Sequence, residues 1–192
     1  RRSDAAEPQS EDCLFLNIWS PGLDGLRRPV MVWIHGGVFM RGSGSSPMHP
    51  GDTLAKRGNV VIVSIKYRLG PRGFLRLKEI TRGAIPATGN EGLLDQIAAL
   101  QWVRDNIAAF GGDPANITVF GESAGAMSIG CLLAMPKARG LFQKAILQSG
   151  ANTFRPLEQA IRVAERYLKK LDIEAGDTGK LMSVSAQTLV DM

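Results

Sequence analysis

Short apolar runs of strand length alternate along this chain with longer segments whose apolar residues recur every three or four positions. The runs are Pro29-Val30-Met31-Val32-Trp33-Ile34, Val60-Val61-Ile62-Val63-Ser64-Ile65, Asn116 to Phe120 and Lys144-Ala145-Ile146-Leu147-Gln148. The first two lack any strict polar alternation, which predicts strands covered on both faces. Leu14-Phe15-Leu16-Asn17-Ile18-Trp19 reads as a further strand and stops at the turn cluster Ser20-Pro21-Gly22.

The helical segments fall between and after these runs. A short helix is expected at about Thr53 to Arg57. The clearest one starts at Asn90, a suitable N-cap, with Leu93, Ile97, Leu100, Val103 or Arg104, Ile107 and Phe110 forming one apolar stripe. Gly111-Gly112-Asp113-Pro114 supplies its stop, a C-cap glycine followed by a proline. Ala124 to Met135, ended by Pro136, and Leu157 to Leu171 are the next helices, with a last helical fragment from about Ser185. The stretch after Ile65 reads as a basic loop to about Thr88. Buried strands alternating with amphipathic helices predict an α/β fold, a mostly parallel sheet flanked by helices on both faces. Such sheets bind ligands at the carboxyl ends of their strands.

Two places at strand ends carry candidate chemistry. In Gly121-Glu122-Ser123-Ala124-Gly125 a serine stands at the junction of a strand and a helix, between two glycines at G-x-S-x-G spacing. This is the sequence form of a nucleophile elbow, a strained turn that lifts a serine hydroxyl clear of the sheet. Gly121 and Gly125 must be small because the helix leaves the strand at a sharp angle. Ser123 then stands at a helix N-terminus, where free N–H groups and the dipole favour a developing anion. The second place is His35-Gly36-Gly37-Val38-Phe39, directly after a buried strand. By itself Gly36-Gly37 reads as a tight turn. Paired with the elbow it reads as an oxyanion hole, with Gly36 and Gly37 joining the N–H of Ala124 and with Val38 N–H a candidate third donor.

Composition narrows the partners. The chain has 192 residues, a net charge of +5 and an apolar fraction of 44%. A globular core is expected, and no apolar run is long enough to span a membrane. Lys66, Arg68, Arg72, Arg76, Lys78 and Arg82 cluster with only Glu79 opposing them. No nucleic-acid reading motif interleaves them, so a solvated loop face is expected and no nucleic-acid partner. Cys13 and Cys131 do not make a disulfide framework, and Cys131 reads as core.

Several collinear stretches carry a family resemblance. They are Glu11-Asp12-Cys13-Leu14-Phe15-Leu16-Asn17, Trp33-Ile34-His35-Gly36-Gly37-Val38-Phe39, Tyr67-Arg68-Leu69-Gly70, Gly92-Leu93-Leu94-Asp95-Gln96, Phe110-Gly111-Gly112-Asp113-Pro114 and the elbow. Together they resemble the type-B carboxylesterases, the α/β-hydrolase family that includes bacterial para-nitrobenzyl esterases and the cholinesterases. The segment Met127 to Ile146 looks closest to the bacterial members, which implies a cytoplasmic setting. The resemblance implies a small-molecule ester substrate, an acyl-enzyme on Ser123, oxyanion donors at Gly36, Gly37 and Ala124, and neither cofactor nor metal. Ser149 reads as a strand-end serine or, as the resemblance implies, as a second serine supporting the triad acid. Lys66 departs from the family pattern where an Asn is usual, and Arg72 and Arg76 replace apolar or aromatic residues. These departures bear on the shape of one loop. Phe39 and Met40 are the candidate pocket residues.

The family triad runs Ser, acid, His in chain order. The two histidines here, His35 and His49, both precede Ser123. The later acids Glu158, Glu165, Asp172, Glu174, Asp177 and Asp191 fall where the family has peripheral helices. Residues 1–192 are therefore expected to form the N-terminal part of a single α/β-hydrolase catalytic domain. The triad acid, the His and the later strands are expected to lie outside it, as are the family's first strands and any signal peptide. Alone it is expected to be nearly inactive, and to associate with itself or with a complementary C-terminal chain through exposed apolar surface. The alternative is a cholinesterase-like interaction module that has lost catalysis, whose usual mark is a spoiled elbow.

Overall fold

The computed structural model describes residues 10–150 and 154–192. The chain forms two compact units, one from Arg1–Tyr67 and Leu93–Asn152, the other from Arg68–Gly92 and Thr153–Met192. The elements of the first are strands β1 (Leu16–Trp19), β2 (Arg28–Ile34), β3 (Val61–Ile65), β4 (Gly112–Glu122) and β5 (Lys144–Gln148) and helices α1 (Gly51–Gly58), α3 (from Glu91, in the second unit, to Asn106) and α4 (Ala124–Ala134). The second holds α2 (Gly70–Phe74), α5 (Leu157–Leu171), α6 (Thr178–Met182) and α7 (Ala186–Val190).

The sheet runs in the order β1-β3-β2-β4-β5. Four strands are parallel, and β1 alone is antiparallel, paired with β3 from Leu16 opposite Ile65 to Trp19 opposite Ile62. Val30, Val32 and Ile34 of β2 stand in register with Val61, Val63 and Ile65 of β3 and with Ile117, Val119 and Gly121 of β4. Side chains of one register row share a face of the sheet. All of the apolar side chains in these three rows are fully buried. The opposite face carries Trp33 and Phe120, whose rings meet at 5.0 Å.

Helices cover both faces, as the alternating pattern predicts. A Cβ on Gly125 would fall 2.0 Å from the Ile34 carbonyl oxygen, so α4 lies hard against the ends of β2 and β4. Ile107, just beyond α3, reaches the Gly112 backbone beside Val30 on that same face. Gly51 opens α1 against the Trp19 ring and Ile62, on the other face. From β2 the chain winds outward to β3, then returns past β2 to β4 and outward to β5. Right-handed crossovers in opposite directions place their helices on opposite faces. The direction reverses between β2 and β4, and that reversal is the crevice where open α/β sheets bind ligands.

Three local expectations change. The buried stripe of α3 is Leu93, Gln96, Leu100, Val103 and Ile107, with Gln96 fully buried where Ile97 was expected. The helix also tightens to a 3-10 turn over Ile107–Phe110 before Gly111, at φ 78°, ends it. Strand β4 pairs from Gly112 with Arg28, then bulges before Ile117 meets Val30. Pro114 lies in that bulge and has no N–H to give a ladder.

The second unit turns part of the expected basic loop into α2 and a bridge between Arg76 and Thr88. Arg76 forms a bidentate pair with Glu79 at 2.8 and 2.5 Å and donates to the Thr88 carbonyl at 2.9 Å. Helix α5 buries Ala164 and Leu168 and ends in a left-handed residue, Asp172. Asp177 caps α6 by accepting from the Lys180 N–H at 2.9 Å. No described helix is long and apolar enough to cross a membrane.

Candidate active site

The site is built where β2 and β4 end side by side, Ile34 opposite Gly121. Past Gly121 the chain turns from strand to helix within three residues. Ser123 has φ 53° and ψ −120°, outside the regions open to ordinary L-residues. Such a conformation costs about 1–3 kcal/mol and persists only when its surroundings over-determine it. They do so here. Ser123 N–H donates to the Gln148 carbonyl of β5 at 2.9 Å, and its own carbonyl accepts from Met127 N–H at 2.9 Å. Gly121 and Gly125 are small for the reason their spacing predicts. A Cβ on Gly121 would stand 2.7 Å from the Ile34 carbonyl oxygen and 2.9 Å from the Gly125 carbonyl carbon. Ser123 is half-buried, and its hydroxyl caps no backbone N–H. Ala124 is buried and opens α4, so its N–H has no acceptor within the helix.

The glycine turn after β2 closes the other side. A Cβ on Gly36 would lie 2.7 Å from the Glu122 carbonyl oxygen and 3.2 Å from the Ser123 Cβ. Gly36 is thus the close neighbour of the serine that the sequence leaves undetermined. Gly37 has φ 112°, a glycine conformation, and its carbonyl accepts from Met40 and Arg41 N–H groups at 3.1 Å. Val38 and Phe39 follow at φ 53° and 62°. Val38 and Met40 are exposed and Phe39 is half-buried.

His35 holds this turn from behind. It is buried, stacks on Tyr67 at 4.5 Å and 19°, and places Nδ1 2.8 Å from the Gly36 carbonyl oxygen. With Nδ1 protonated it donates there. A trans peptide points its C=O and N–H in opposite directions, so anchoring the Gly36 carbonyl also aims the Gly37 N–H. The Tyr67 hydroxyl donates to the His35 carbonyl at 2.8 Å. Burial pushes the Tyr67 phenol well above its usual range, so it remains a neutral donor. Further out, the Gly44 carbonyl accepts from Ser64 Oγ at 2.5 Å and from Asn17 Nδ2 at 3.3 Å, tying the same loop to β3 and β1.

Of the expected site residues, Ser123, Gly36 and Ala124 stand together, and Gly37 adjoins them. Ser149 sits at φ 53°, exposed, one residue past the end of β5. Gly150 beside it packs on the first turn of α4, where a Cβ would meet the Ala126 Cβ at 2.5 Å. His49 is exposed and lies against the Trp33 ring at 5.2 Å. Cys131 is half-buried, and burial raises its thiol pKa. Sequence reasoning missed Tyr67 as a support and missed the buried pair Gln96 and Ser128. The three-four spacing of Leu93, Gln96, Leu100, Val103 and Ile107 held the signal for Gln96.

A serine on a strained strand-to-helix turn, at the reversal point of a mostly parallel sheet with helices on both faces, defines part of an α/β-hydrolase fold. The comparisons with known proteins agree. The carboxylesterase family profile matches residues 1–191, and the chain belongs to that family. It is 54% identical over 182 residues to para-nitrobenzyl esterase of Bacillus subtilis (strain 168), covering 95% of this chain and 37% of the relative. It is 49% identical over 173 residues to phenmedipham hydrolase of Pseudarthrobacter oxydans, covering 88% of this chain and 34% of that protein. Among solved structures, carboxylesterase EST55 of Geobacillus stearothermophilus superposes with a TM-score of 0.93 at 53% identity, over 98% of this chain and 40% of the other. The chain therefore spans well under half the length of these relatives.

Proposed function

We propose that the protein to which this chain belongs is a serine carboxylesterase, with Ser123 as nucleophile and Gly36, Gly37 and Ala124 as oxyanion donors. The observation that carries the reading is the close approach of Gly36 to Ser123 at the ends of adjacent parallel strands. In the reaction, Ser123 Oγ bonds the ester carbonyl carbon as its proton passes to a general base. The carbonyl π electrons move onto oxygen, and the N–H groups of the turn and of Ala124 stabilise that charge. Collapse expels the alcohol, which takes the proton back, and water repeats the sequence to release the acid. No cofactor enters this chemistry.

The base comes from outside these 192 residues. His35 already faces the Gly36 carbonyl and is buried, and His49 is exposed beside Trp33. A serine with an oxyanion hole and no base retains only residual catalysis. The edge strand β5 supports a complementary chain, since Ile146 and Leu147 are exposed at 44% and 39%. Ser149 is exposed one residue past the end of that strand, and its role as a support for the triad acid belongs to the same proposal. The intact serine and glycines favour catalysis over a purely adhesive module.

The test is labelling with a fluorophosphonate that reacts with activated serines. The full-length protein is expected to react rapidly at Ser123, and its Ser123→Ala variant not at all. The 192-residue polypeptide is expected to react slowly. Rapid stoichiometric labelling of that polypeptide would show that it has its own base. No labelling of the full-length protein would overturn the esterase reading.

A further inference from the structure

Beneath the elbow, two fully buried polar side chains meet between α3 and α4. Ser128 lies one turn into α4 and Gln96 lies on the buried stripe of α3, both at 0% exposure. Gln96 Nε2 donates to Ser128 Oγ at 3.2 Å, and Ser128 Oγ donates to the Ala124 carbonyl at 2.9 Å. The chain of donors ends at the carbonyl of Ala124, one peptide beyond the N–H proposed above as an oxyanion donor.

We propose that Gln96 and Ser128 are positioning residues for the oxyanion donor at Ala124. The inference rests on the esterase reading above and deepens it. Within a helix the carbonyl of residue 124 is directed at the N–H of residue 128. Ser128 Oγ adds a second donor to that carbonyl. A serine bonding four residues back tips the carbonyl outward and bends the helix locally. That bond fixes the plane of the Ala124–Gly125 peptide in the first turn of α4. The Ala124 N–H belongs to the preceding peptide, joined to this one through a single α-carbon, so its direction follows from how that turn is held. Gln96 decides which way the Ser128 hydroxyl points. With the amide donating to Oγ, the hydroxyl proton is left for Ala124.

The energetics argue that the pair is there for direction and not for stability. Gln96 Oε1 is buried with no hydrogen-bond partner. A buried orphan acceptor is destabilising, whereas replacing such a group by an apolar one of the same shape is neutral or better. A Met at position 96 would fill the same volume with no orphan.

The experiment uses the full-length protein and its Gln96→Met, Ser128→Ala, Ser128→Thr and Gln96→Met/Ser128→Ala variants. Readouts are kcat and KM on p-nitrophenyl acetate, the inhibition constant of a trifluoromethyl ketone, and the melting midpoint. The hemiketal of the ketone carries its oxyanion where the ester would. Gln96→Met is expected to lower kcat about tenfold, the equivalent of one well-aimed hydrogen bond, with KM unchanged. Ketone binding is expected to weaken by the same factor, while the melting midpoint holds or rises. Ser128→Ala is expected to match it, Ser128→Thr to keep most of the activity, and the double variant to lose no more than either single one, as coupled residues do. Activity within twofold of wild type in Gln96→Met and Ser128→Ala would overturn the inference. So would a loss that only tracks a fall in melting midpoint. Fluorophosphonate labelling of the wild type separates the two readings. An unlabelled wild type overturns the esterase assignment and this inference with it. A labelled wild type with unaffected variants overturns this inference alone.

Discussion

Gly36 stands so close to Ser123 that a Cβ on the glycine would lie 3.2 Å from the Cβ of the serine and 2.7 Å from the carbonyl oxygen of Glu122. The two residues are far apart in sequence and meet because Ile34 and Gly121, at the ends of β2 and β4, are register partners. A pair of segments leaving adjacent parallel strands at the same level, one into a loop and one into a helix, makes a notch between them. Ser123 and the glycine turn at Gly36 stand on its two sides.

Gly36→Ala tests the notch directly. The added methyl meets backbone oxygen, which cannot swing away as a side chain can, so the two segments must part by a few tenths of an ångström. Donors moved off an oxyanion cost about 2.7–4 kcal/mol of transition-state stabilisation. In the full-length protein kcat on p-nitrophenyl acetate is expected to fall by about 10²–10³, with KM changed less than about threefold. Near-wild-type kcat would remove Gly36 from the site.

Tyr67→Phe removes the phenol that donates to the His35 carbonyl. Loss of one buried hydrogen bond is expected to lower unfolding stability in urea by about 1–2 kcal/mol at pH 7. The sign with pH follows from the phenol pKa, which burial raises above its unfolded value of about 10. The protonated phenol therefore contributes stability that is fully present below about pH 10 and is lost as pH rises above it. The gap between wild type and Tyr67→Phe is expected to be constant from pH 6 to 9 and to narrow above about pH 10. A gap that widens with pH would contradict this.

Asp24 and Arg28 give a second, opposite pH dependence. Arg28 is buried and donates to Asp24 at 2.8 and 2.6 Å, to Asn59 Oδ1 at 2.8 Å and to the Gly22 carbonyl at 3.1 Å. The hydrogen bonds from Arg28 hold the Asp24 carboxyl down at about 2, below its unfolded value near 4. A depressed carboxyl contributes stability that is present above the unfolded pKa and is lost as pH falls through the folded one. Urea midpoints of wild type and Asp24→Asn are expected to differ by a constant amount from pH 7 to about 5 and to converge between about pH 4 and 2. Equal midpoints at pH 7 would mean that the pair contributes nothing.

The 192-residue polypeptide is expected to associate through β5. Edge strands with exposed apolar side chains template pairing with another chain. Sedimentation velocity should show concentration-dependent species for the wild-type polypeptide, and Leu147→Lys should shift them toward monomer. A monomeric wild type at tens of micromolar would remove β5 as the adhesive edge.

The elements that could be read in advance are those whose evidence is local. Strand β5, the turn into α4 and helix α5 fall where their residues place them, because an apolar run, a pair of glycines or a three-four stripe carries its own instruction. Elements whose form depends on a partner were harder to read. Strand β1 is antiparallel because it pairs with β3, and nothing within Leu16–Trp19 encodes direction. Gln96 takes an apolar position because Ser128 of another helix meets it there. The start of β4 was misplaced because Pro114 looks like a terminator, while the ladder bulges around it and resumes at Ile117.

The site divides along the same line. Its residue types follow from the chain alone. A serine between glycines at a strand–helix junction, and a glycine pair after a buried strand, each satisfy a backbone that must bend sharply, and steric exclusion of a Cβ acts within a few residues. Their convergence is a property of the sheet. Strand order puts β2 beside β4, the reversal of winding opens a crevice there, and hydrogen bonds from the Tyr67 and Ser128 hydroxyls to the His35 and Ala124 carbonyls, and from Ser123 N–H to the Gln148 carbonyl, hold the backbone around it. Those partners lie between four and some tens of residues away in sequence. Only the folded backbone brings them within the three ångströms over which a hydrogen bond acts.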